Sequence, residues 1–536
     1  MKLTRSWAVA ILALFSAGGN LIPAFIGIVG RPVAILALFS AGGNDVIHAA
    51  ELDARLYFQE VRRDPALLRN FLYAFPKGGE LHNHLDGAIY AESYIRWGAE
   101  DGKCIDLENY AVTLPPCDAP AGRPALSEVQ FDGNVVNRII DAFSIRNYER
   151  RPVSGHNQFF STFGRFYPAG FGREGYMLAE SSARSARQNM IYLELLQSWG
   201  MAEARQLAAD GAEFNPERPL AELVRHPGIE QLAAETITRL DAIEQQWRSV
   251  LACGQEHADA GCEVTVRYLA QVIRTFPRAQ VLAQTLLAYH LIEADPRYVG
   301  LNFVAPEDDP ITLRDYRWQM AMIGELAGHF PAAKDGITLH AGELDLGLVA
   351  PEHLGWHVRA ALDLAGARRI GHGTDILHDP QATQLLERMA EQGILVEINL
   401  TSSEAILGIT GAAHPFETYL KYNVPIALST DDEGVARIDL THEYQRAVET
   451  YNLSYDDLKY LSRNALAYSF LPGQSLLEST RTGKITEACD YDQSADDVSE
   501  DAVSACLTFM FQNEKAKLQA ELERRFDEFE AGYPQQ

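Results

Sequence analysis

The chain has 536 residues, of which 47% are hydrophobic and 22% are charged, and its formal net charge is −27. This composition is typical of a globular protein with one large domain or two ordinary ones. Because so acidic a surface repels phosphate backbones, we expect no nucleic-acid partner, whereas a small neutral or cationic substrate would not be repelled.

The first 50 residues have the pattern of an export signal. Lys2 and Arg5 supply a positively charged n-region, and residues 7–15 form an apolar h-region. Small residues of the kind found at a cleavage site lie later, at 48–50. An uncleaved anchor is the alternative, because residues 7–30 are long enough to span a bilayer. We therefore predict an exported protein, periplasmic or extracellular, with membrane contact only if this segment stays uncleaved.

An unusual repeat lies inside the same segment. The sequence VAILALFSAGGN occurs at 9–20 and again at 33–44. A recent duplication or a sequence error is favoured over a functional repeat, because no fold that we can argue for needs the copy.

The cysteines form three pairs of near neighbours, and each pair would close a short loop. Disulfides persist in oxidising compartments, so local pairing agrees with export. Six free thiols in a cytosolic enzyme are the alternative. None of the cysteines lies in a CxxC motif or beside the histidine motifs, so we expect no zinc ligation by sulfur. The predicted pairs are Cys104 with Cys117, Cys253 with Cys262, and Cys489 with Cys506.

Short apolar runs alternate with amphipathic stretches from about residue 76 to residue 470, after an N-terminal helical segment at 51–75. Strands alternating with helices indicate a parallel sheet, and eight strands close a (β/α)8 TIM barrel of the α/β class. The predicted strands are 79–85, 190–196, 263–270, 298–304, 336–341, 369–373, 394–399 and 424–429. Helical patterns lie at 220–250, 311–329, 353–365, 381–392 and 415–422.

Two regions do not follow this alternation. Residues 97–160 are rich in proline and polar residues, which predicts an insertion after the first strand, packed over the barrel mouth. It could form a lid or the contact of a homodimer. Residues 471–536 are predicted as a C-terminal helical extension, and the apolar spacing at 500–536 is more typical of a docked helix than of a partner-binding one.

Histidines and acids stand at the ends of several predicted strands. Because side chains alternate along a strand, His82 and His84 lie on the same face and can share one ion. His340 and Asp431 end two other strands, and a barrel brings such ends together. Three imidazoles and one carboxylate suit zinc, with a position left open for water.

Three further groups need a role beside this metal. Glu343 follows His340 in a turn and suits a general acid, and His372 suits a base that acts on water. Asp432 follows Asp431 and, in extended chain, would point away from the metal towards substrate. The pair His353 and His357 has helical spacing but lacks the glutamate of the zinc-protease motif, so we interpret both as surface or packing residues.

These motifs resemble the adenosine deaminase family of metal-dependent hydrolases. The similar segments are 80–87, 339–343, 369–373 and 429–432, in the family's order, and the resemblance runs from about residue 76 to 467. The export signal, the insertion and residues 299–308 are most similar to the secreted, growth-factor-related branch. The resemblance implies that His82, His84, His340 and Asp431 bind one zinc ion, Glu343 protonates purine N1, His372 orients and deprotonates water, Asp432 binds N7 and Asp86 contacts a ribose hydroxyl.

The implied reaction is hydrolysis of adenosine, and also 2′-deoxyadenosine, to inosine and ammonia by attack of zinc-activated hydroxide on C6. The chain departs from the family at Ala305, where a glycine usually contacts purine N3 through its backbone, and Pro306 removes a donor there. The alternatives are a deaminase of adenine or of a modified nucleoside, and a catalytically silent extracellular binding protein. Asp86 favours a substrate with ribose, and retention of the whole set of ligands and acids disfavours a silent protein.

Overall fold

A computed structural model describes residues 44–490 and 500–533 of the chain. Residues 1–43, which hold most of the predicted signal or anchor and nearly all of its repeat, lie outside this described part. Within it, no helix is both long and apolar enough to cross a membrane.

Eight parallel strands form the centre of the α/β fold. They pair as two four-stranded sheets, in the orders β1-β2-β3-β4 and β8-β7-β6-β5. Single parallel bridges, Leu301 with Ile337 and Asn83 with Asp431, connect the two sheets on both sides, so the strands form a closed ring. The strands are β1 Gly78–His84, β2 Met190–Gln197, β3 Thr265–Ile273, β4 Tyr298–Val304, β5 Thr338–Ala341, β6 Arg369–His372, β7 Leu395–Ile398 and β8 Ile426–Leu428.

Helices surround this ring and bury its outer face. Two of them differ from the predicted patterns: Pro227 starts the helix that we predicted from residue 220, and the helix predicted at 353–365 begins only at His357. Gly355, with a φ of +74°, separates it from the turn Pro351–His353. The α-helices between β1 and β8 are Ala91–Glu100, Leu126–Val129, Gly133–Ala142, Gly155–Gly170, Glu174–Arg187, Met201–Leu207, Pro227–Val250, Arg278–Ala294, Pro310–Ala327, His357–Ala360, Ala382–Gln392, Leu400–Leu407 and Phe416–Lys421.

The segment between β1 and β2 is long and mostly helical. It contains the small hairpin Cys104–Ile105 with Val112–Thr113. The helix Gly155–Gly170 places aromatic side chains over the carboxyl ends of the strands. All six cysteines form disulfides, Cys104–Cys117, Cys253–Cys262 and Cys489–Cys506, which is the local pairing favoured by the sequence.

Terminal helices pack together against the chain next to β1. Phe75 contacts Phe526 and Phe529, with ring centroids 5.5 and 5.7 Å away. Lys459 and Glu530 form a buried ion pair at 2.8 Å, which ties the last helix to the barrel. The helices outside the β1–β8 region are Asn44–Val61, Pro65–Ala74, Glu433–Ala436, Leu440–Tyr451, Tyr455–Ala467, Glu500–Gln512 and Glu514–Glu530.

Candidate metal centre and active site

Three histidines and an aspartate converge at the carboxyl ends of the barrel strands. His82 and His84 come from the end of β1, His340 from β5, and Asp431 from the loop after β8. Each residue offers one ligand atom, and these four atoms lie within 4.8 Å of one another. The Nε2 atoms of His82 and His84 are each 3.2 Å from Asp431 Oδ1. Three nitrogen donors and one oxygen at this spacing fit a divalent metal of the zinc type.

The second ring nitrogen of each histidine is held by a side chain from another strand of the ring. His82 Nδ1 lies 2.7 Å from Glu397 Oε2, and His84 Nδ1 lies 2.7 Å from Gln271 Oε1. His340 Nδ1 lies 2.9 Å from Asn302 Oδ1. An acceptor at Nδ1 leaves Nε2 free to bind a metal and fixes the orientation of the ring. Sequence reasoning missed these partners, although each is a polar residue inside an apolar strand.

Electrostatics agree with a metal centre. Burial and the nearby histidines lower the pKa of His340 well below its ordinary value, which keeps the ring neutral, as a metal ligand must be. Burial alone would raise the pKa of Asp431, but the rings of His82 and His84, each 3.2 Å away, hold it well below its ordinary value. His340 is thus a neutral imidazole and Asp431 an ionised carboxylate. At His82 burial opposes protonation, but the contacts with Asp431 and Glu397 raise the pKa to about 9, so a metal would have to displace that proton.

Glu343 and His372 lie together beside the metal ligands. Glu343 Oε1 is 3.5 Å from His372 Nδ1, and both side chains are buried. Burial and the charge of Asp431 raise the pKa of Glu343 well above its ordinary value. Burial lowers the pKa of His372 to about 3. The arrangement therefore pairs a carboxyl group that retains its proton with a neutral imidazole, which suits an acid and a base.

Left-handed backbone occurs at three non-glycine residues of the site. The φ angles are +84° at Ala305, +67° at His372 and +64° at Asp431, and each residue follows or ends a strand. Such angles are uncommon for residues with a Cβ and cluster at functional sites. At Asp431 this conformation breaks the extended chain, so both Asp431 and Asp432 line the same cavity. The sequence expectation that Asp432 points away therefore does not apply here.

The turn that carries Glu343 is anchored by a residue that the sequence did not single out. Glu307 accepts hydrogen bonds from the backbone N–H groups of Gly342 and Glu343, each at 2.9 Å. His357, which we interpreted as a surface or packing residue, is fully buried, and its Nδ1 is 2.5 Å from Glu307 Oε1. The packing alternative therefore holds for His357 and the surface alternative does not, because its ring is buried against Tyr316 at the start of the helix.

A cavity of about 500 Å³ opens next to the metal ligands. Asp86 and Asp432 line it, and Ala305 and Pro306 form part of its edge. Burial and the charge of Glu174 raise the pKa of Asp86 to about 6. Gly87 permits this packing, since a Cβ there would lie 1.5 Å from Asp432 Oδ1. Part of the lining is aromatic, and it consists of Phe159, Phe160, Phe163 and Tyr167.

The fold places a candidate metal centre at the carboxyl ends of a parallel strand ring, an arrangement typical of metal-dependent hydrolases. Residues 220–479 match the family model for adenosine deaminase. The matched region contains His340, Glu343, His372 and Asp431. Over these residues the chain is therefore similar to the adenosine deaminase family.

Individual relatives match over shorter stretches. An adenosine deaminase of Clostridium perfringens strain ATCC 13124 is 31% identical over 183 residues, which are 34% of this chain and 51% of that protein. The adenosine deaminase of strain SM101 is 35% identical over 193 residues, with the same coverage of 34% and 51%. The chain thus spans about half the length of these curated relatives.

Two solved structures are similar at low identity. An N6-mAMP deaminase of arabidopsis is 20% identical, with a TM-score of 0.48, over 75% of this chain and 96% of that one. An adenine deaminase from Arthrobacter aurescens is 16% identical, with a TM-score of 0.46, over 74% of this chain and 94% of that one.

Proposed function

We propose that the protein deaminates adenosine, and also 2′-deoxyadenosine, to inosine and ammonia with one zinc ion per chain. The observation that carries this proposal is a buried carboxylic acid, Glu343, beside a cluster of three histidines and one aspartate. Hydrolytic loss of an amino group from a purine needs these two parts: a source of hydroxide, and an acid that protonates the ring.

Zinc would be held by His82, His84, His340 and Asp431, and it supplies a Lewis acid that makes hydroxide available at neutral pH. Glu343 donates a proton to purine N1, which removes the aromatic resistance of C6 to attack. His372 orients the water and takes its proton, a role supported by its neutral ring and its buried position 3.5 Å from Glu343.

The remaining cavity groups bind the substrate. Asp432 contacts N7, and because N7 is an acceptor, this contact requires the protonated form of Asp432. Asp86 contacts a ribose hydroxyl at the far side of the cavity. Ala305 faces purine N3 with its backbone N–H, and its positive φ corresponds to a conformation that glycine adopts readily.

Secretion belongs to this proposal as well. Three disulfides fit an oxidising compartment, and together with the signal-like N-terminus they support an exported enzyme of the growth-factor-related branch. Deaminases of adenine or of modified nucleosides remain the alternative, and Asp86 in the cavity favours a nucleoside over a free base.

A substrate screen tests the proposal. The purified protein should convert adenosine to inosine, followed by the change in ultraviolet absorbance, and a chelator should abolish this activity until zinc is restored. Adenine and AMP, measured in parallel, should be poorer substrates. Faster turnover of adenine than of adenosine would contradict the nucleoside assignment, and full activity in the chelated protein would contradict the metal.

A further inference from the structure

The backbone around Glu343 is held by the carboxylate of Glu307, which lies in the loop after β4. Gly342 has a φ of +78°, so the chain turns sharply between His340 and Glu343. Both N–H groups of this turn point at Glu307, one at each carboxylate oxygen: Gly342 N to Oε1 and Glu343 N to Oε2, both at 2.9 Å. The position of Glu343 therefore depends on where Glu307 is held.

His357 in turn holds Glu307. Its Nδ1 lies 2.5 Å from Glu307 Oε1, and both side chains are fully buried. The imidazole stacks on the ring of Tyr316 at 3.8 Å with 12° between the planes, which fixes its orientation. Burial alone would raise the pKa of Glu307, but the hydrogen bond from His357 and the nearby Arg274 keep it below the ordinary value. Glu307 thus remains an ionised acceptor.

Arg274 connects this group to the metal ligands. Its guanidinium donates to the carbonyl oxygen of Ala305 at 2.8 Å and to that of His340 at 3.1 Å, and it lies 3.9 Å from Glu307. The chain from His340 to Glu343 is therefore tied to the same buried network as the loop that carries Ala305 and Glu307. A shift of Glu307 would move the acid relative to the metal ligand three residues before it.

We propose that His357 is a positioning residue for the reaction: by hydrogen bonding to Glu307 it fixes the Gly342–Glu343 backbone and so aims the Glu343 carboxyl group at the substrate. This inference rests on the proposed role of Glu343 as the acid. Placement matters at this point because a misplacement of about 1 Å can cost roughly 10²-fold in rate.

Two substitutions separate positioning from packing. His357→Phe keeps a ring for the stack on Tyr316 but removes the donor, whereas His357→Asn loses the ring and keeps a nitrogen close to the place of Nδ1. We expect His357→Phe to lower kcat by about 10- to 100-fold with little change in KM. His357→Asn should recover most of that loss. His353→Phe, four residues earlier in a partly exposed turn, is the matched control and should keep wild-type kcat.

The opposite order of the two variants, with His357→Phe active and His357→Asn impaired, would show that the ring matters only for packing and would overturn the proposal. Amide hydrogen exchange of the peptide that contains Gly342 and Glu343 provides a readout that needs no turnover. Protection should fall in His357→Phe and be kept in His357→Asn, and equal protection in both variants would also overturn it.

The experiments distinguish a failure of the proposed function from a failure of the role proposed for His357. A wild-type protein without deaminase activity would contradict the reaction, while the exchange measurement would still decide whether His357 holds the turn. If His357→Phe does not fold, the exchange of His357→Asn against the wild type decides: wild-type protection supports the donor role, and lost protection overturns it.

Discussion

Replacing Gln271 by methionine should weaken metal binding without removing a ligand. Gln271 accepts the hydrogen bond of His84 Nδ1 at 2.7 Å, and its amide nitrogen donates to Ser198 Oγ at 3.1 Å. Methionine has a similar length and shape but offers no comparable acceptor, so the His84 ring loses the group that fixes its orientation. Loss of such a partner typically weakens metal affinity by about 10- to 100-fold, which corresponds to about 1.4–2.7 kcal/mol.

The apoprotein should be affected far less. One net hydrogen bond contributes about 1 kcal/mol to the free energy of unfolding, and Gln271 is only partly buried. Gln271→Glu keeps an acceptor and should bind zinc at least as tightly as the wild type. Gln445→Met, which removes hydrogen bonds of 3.2 and 2.9 Å on an outer helix, serves as the matched control.

Competition with a fluorescent zinc chelator measures these affinities directly, and thermal unfolding of each apoprotein reports fold damage. Wild-type zinc affinity in Gln271→Met would refute the reasoning, because His84 would then need no partner for its orientation. An equal loss of affinity in Gln271→Met and Gln271→Glu would also refute it.

Three further predictions follow from named contacts. Glu343→Gln should lower kcat by about 10²- to 10⁴-fold with unchanged zinc content, since an amide cannot protonate N1; near wild-type turnover would remove Glu343 as the acid. Asp86→Asn should lower kcat/KM for adenosine by roughly 10- to 100-fold, the loss of a hydrogen bond to a charged group, and leave adenine unaffected; an equal loss for both substrates would contradict a ribose contact. Replacing both Cys104 and Cys117 by serine should destabilise the protein by about 3 kcal/mol, measured by denaturant unfolding, and an unchanged unfolding midpoint would show that the disulfide closes no loop of consequence.

The strand ring was predictable from the sequence because buried parallel strands appear as short, nearly continuous apolar runs. The run at 298–304 coincides with the strand Tyr298–Val304. The metal ligands were predictable for the same reason, since a polar residue that ends an apolar run must lie at the carboxyl edge of the sheet. Two helix starts were predicted wrongly, because the backbone restrictions of Pro227 and Gly355 overrode the amphipathic pattern.

Side-chain contacts between strands could not be predicted from the sequence. Glu397, Gln271 and Asn302 each bond a histidine from another strand, so recognising them requires the order and register of the ring. The left-handed conformation of His372 and Asp431 was equally hidden, because such angles are uncommon for any residue with a Cβ and only the surrounding packing decides where they occur.

Buried charge in the barrel follows from the metal centre step by step. The backbone N–H and C=O groups of the strands hydrogen bond to one another. The ring N–H of His82 therefore needs a side-chain acceptor, and Glu397 is that acceptor. An isolated buried carboxylate would be costly, and Arg369 compensates it at 2.7 Å. The charge of Arg369 is met by Glu194 at 2.5 Å. Each group in this row therefore compensates the one above it, which is why a barrel interior that should be apolar contains an arginine between two glutamates beneath the candidate metal ligands.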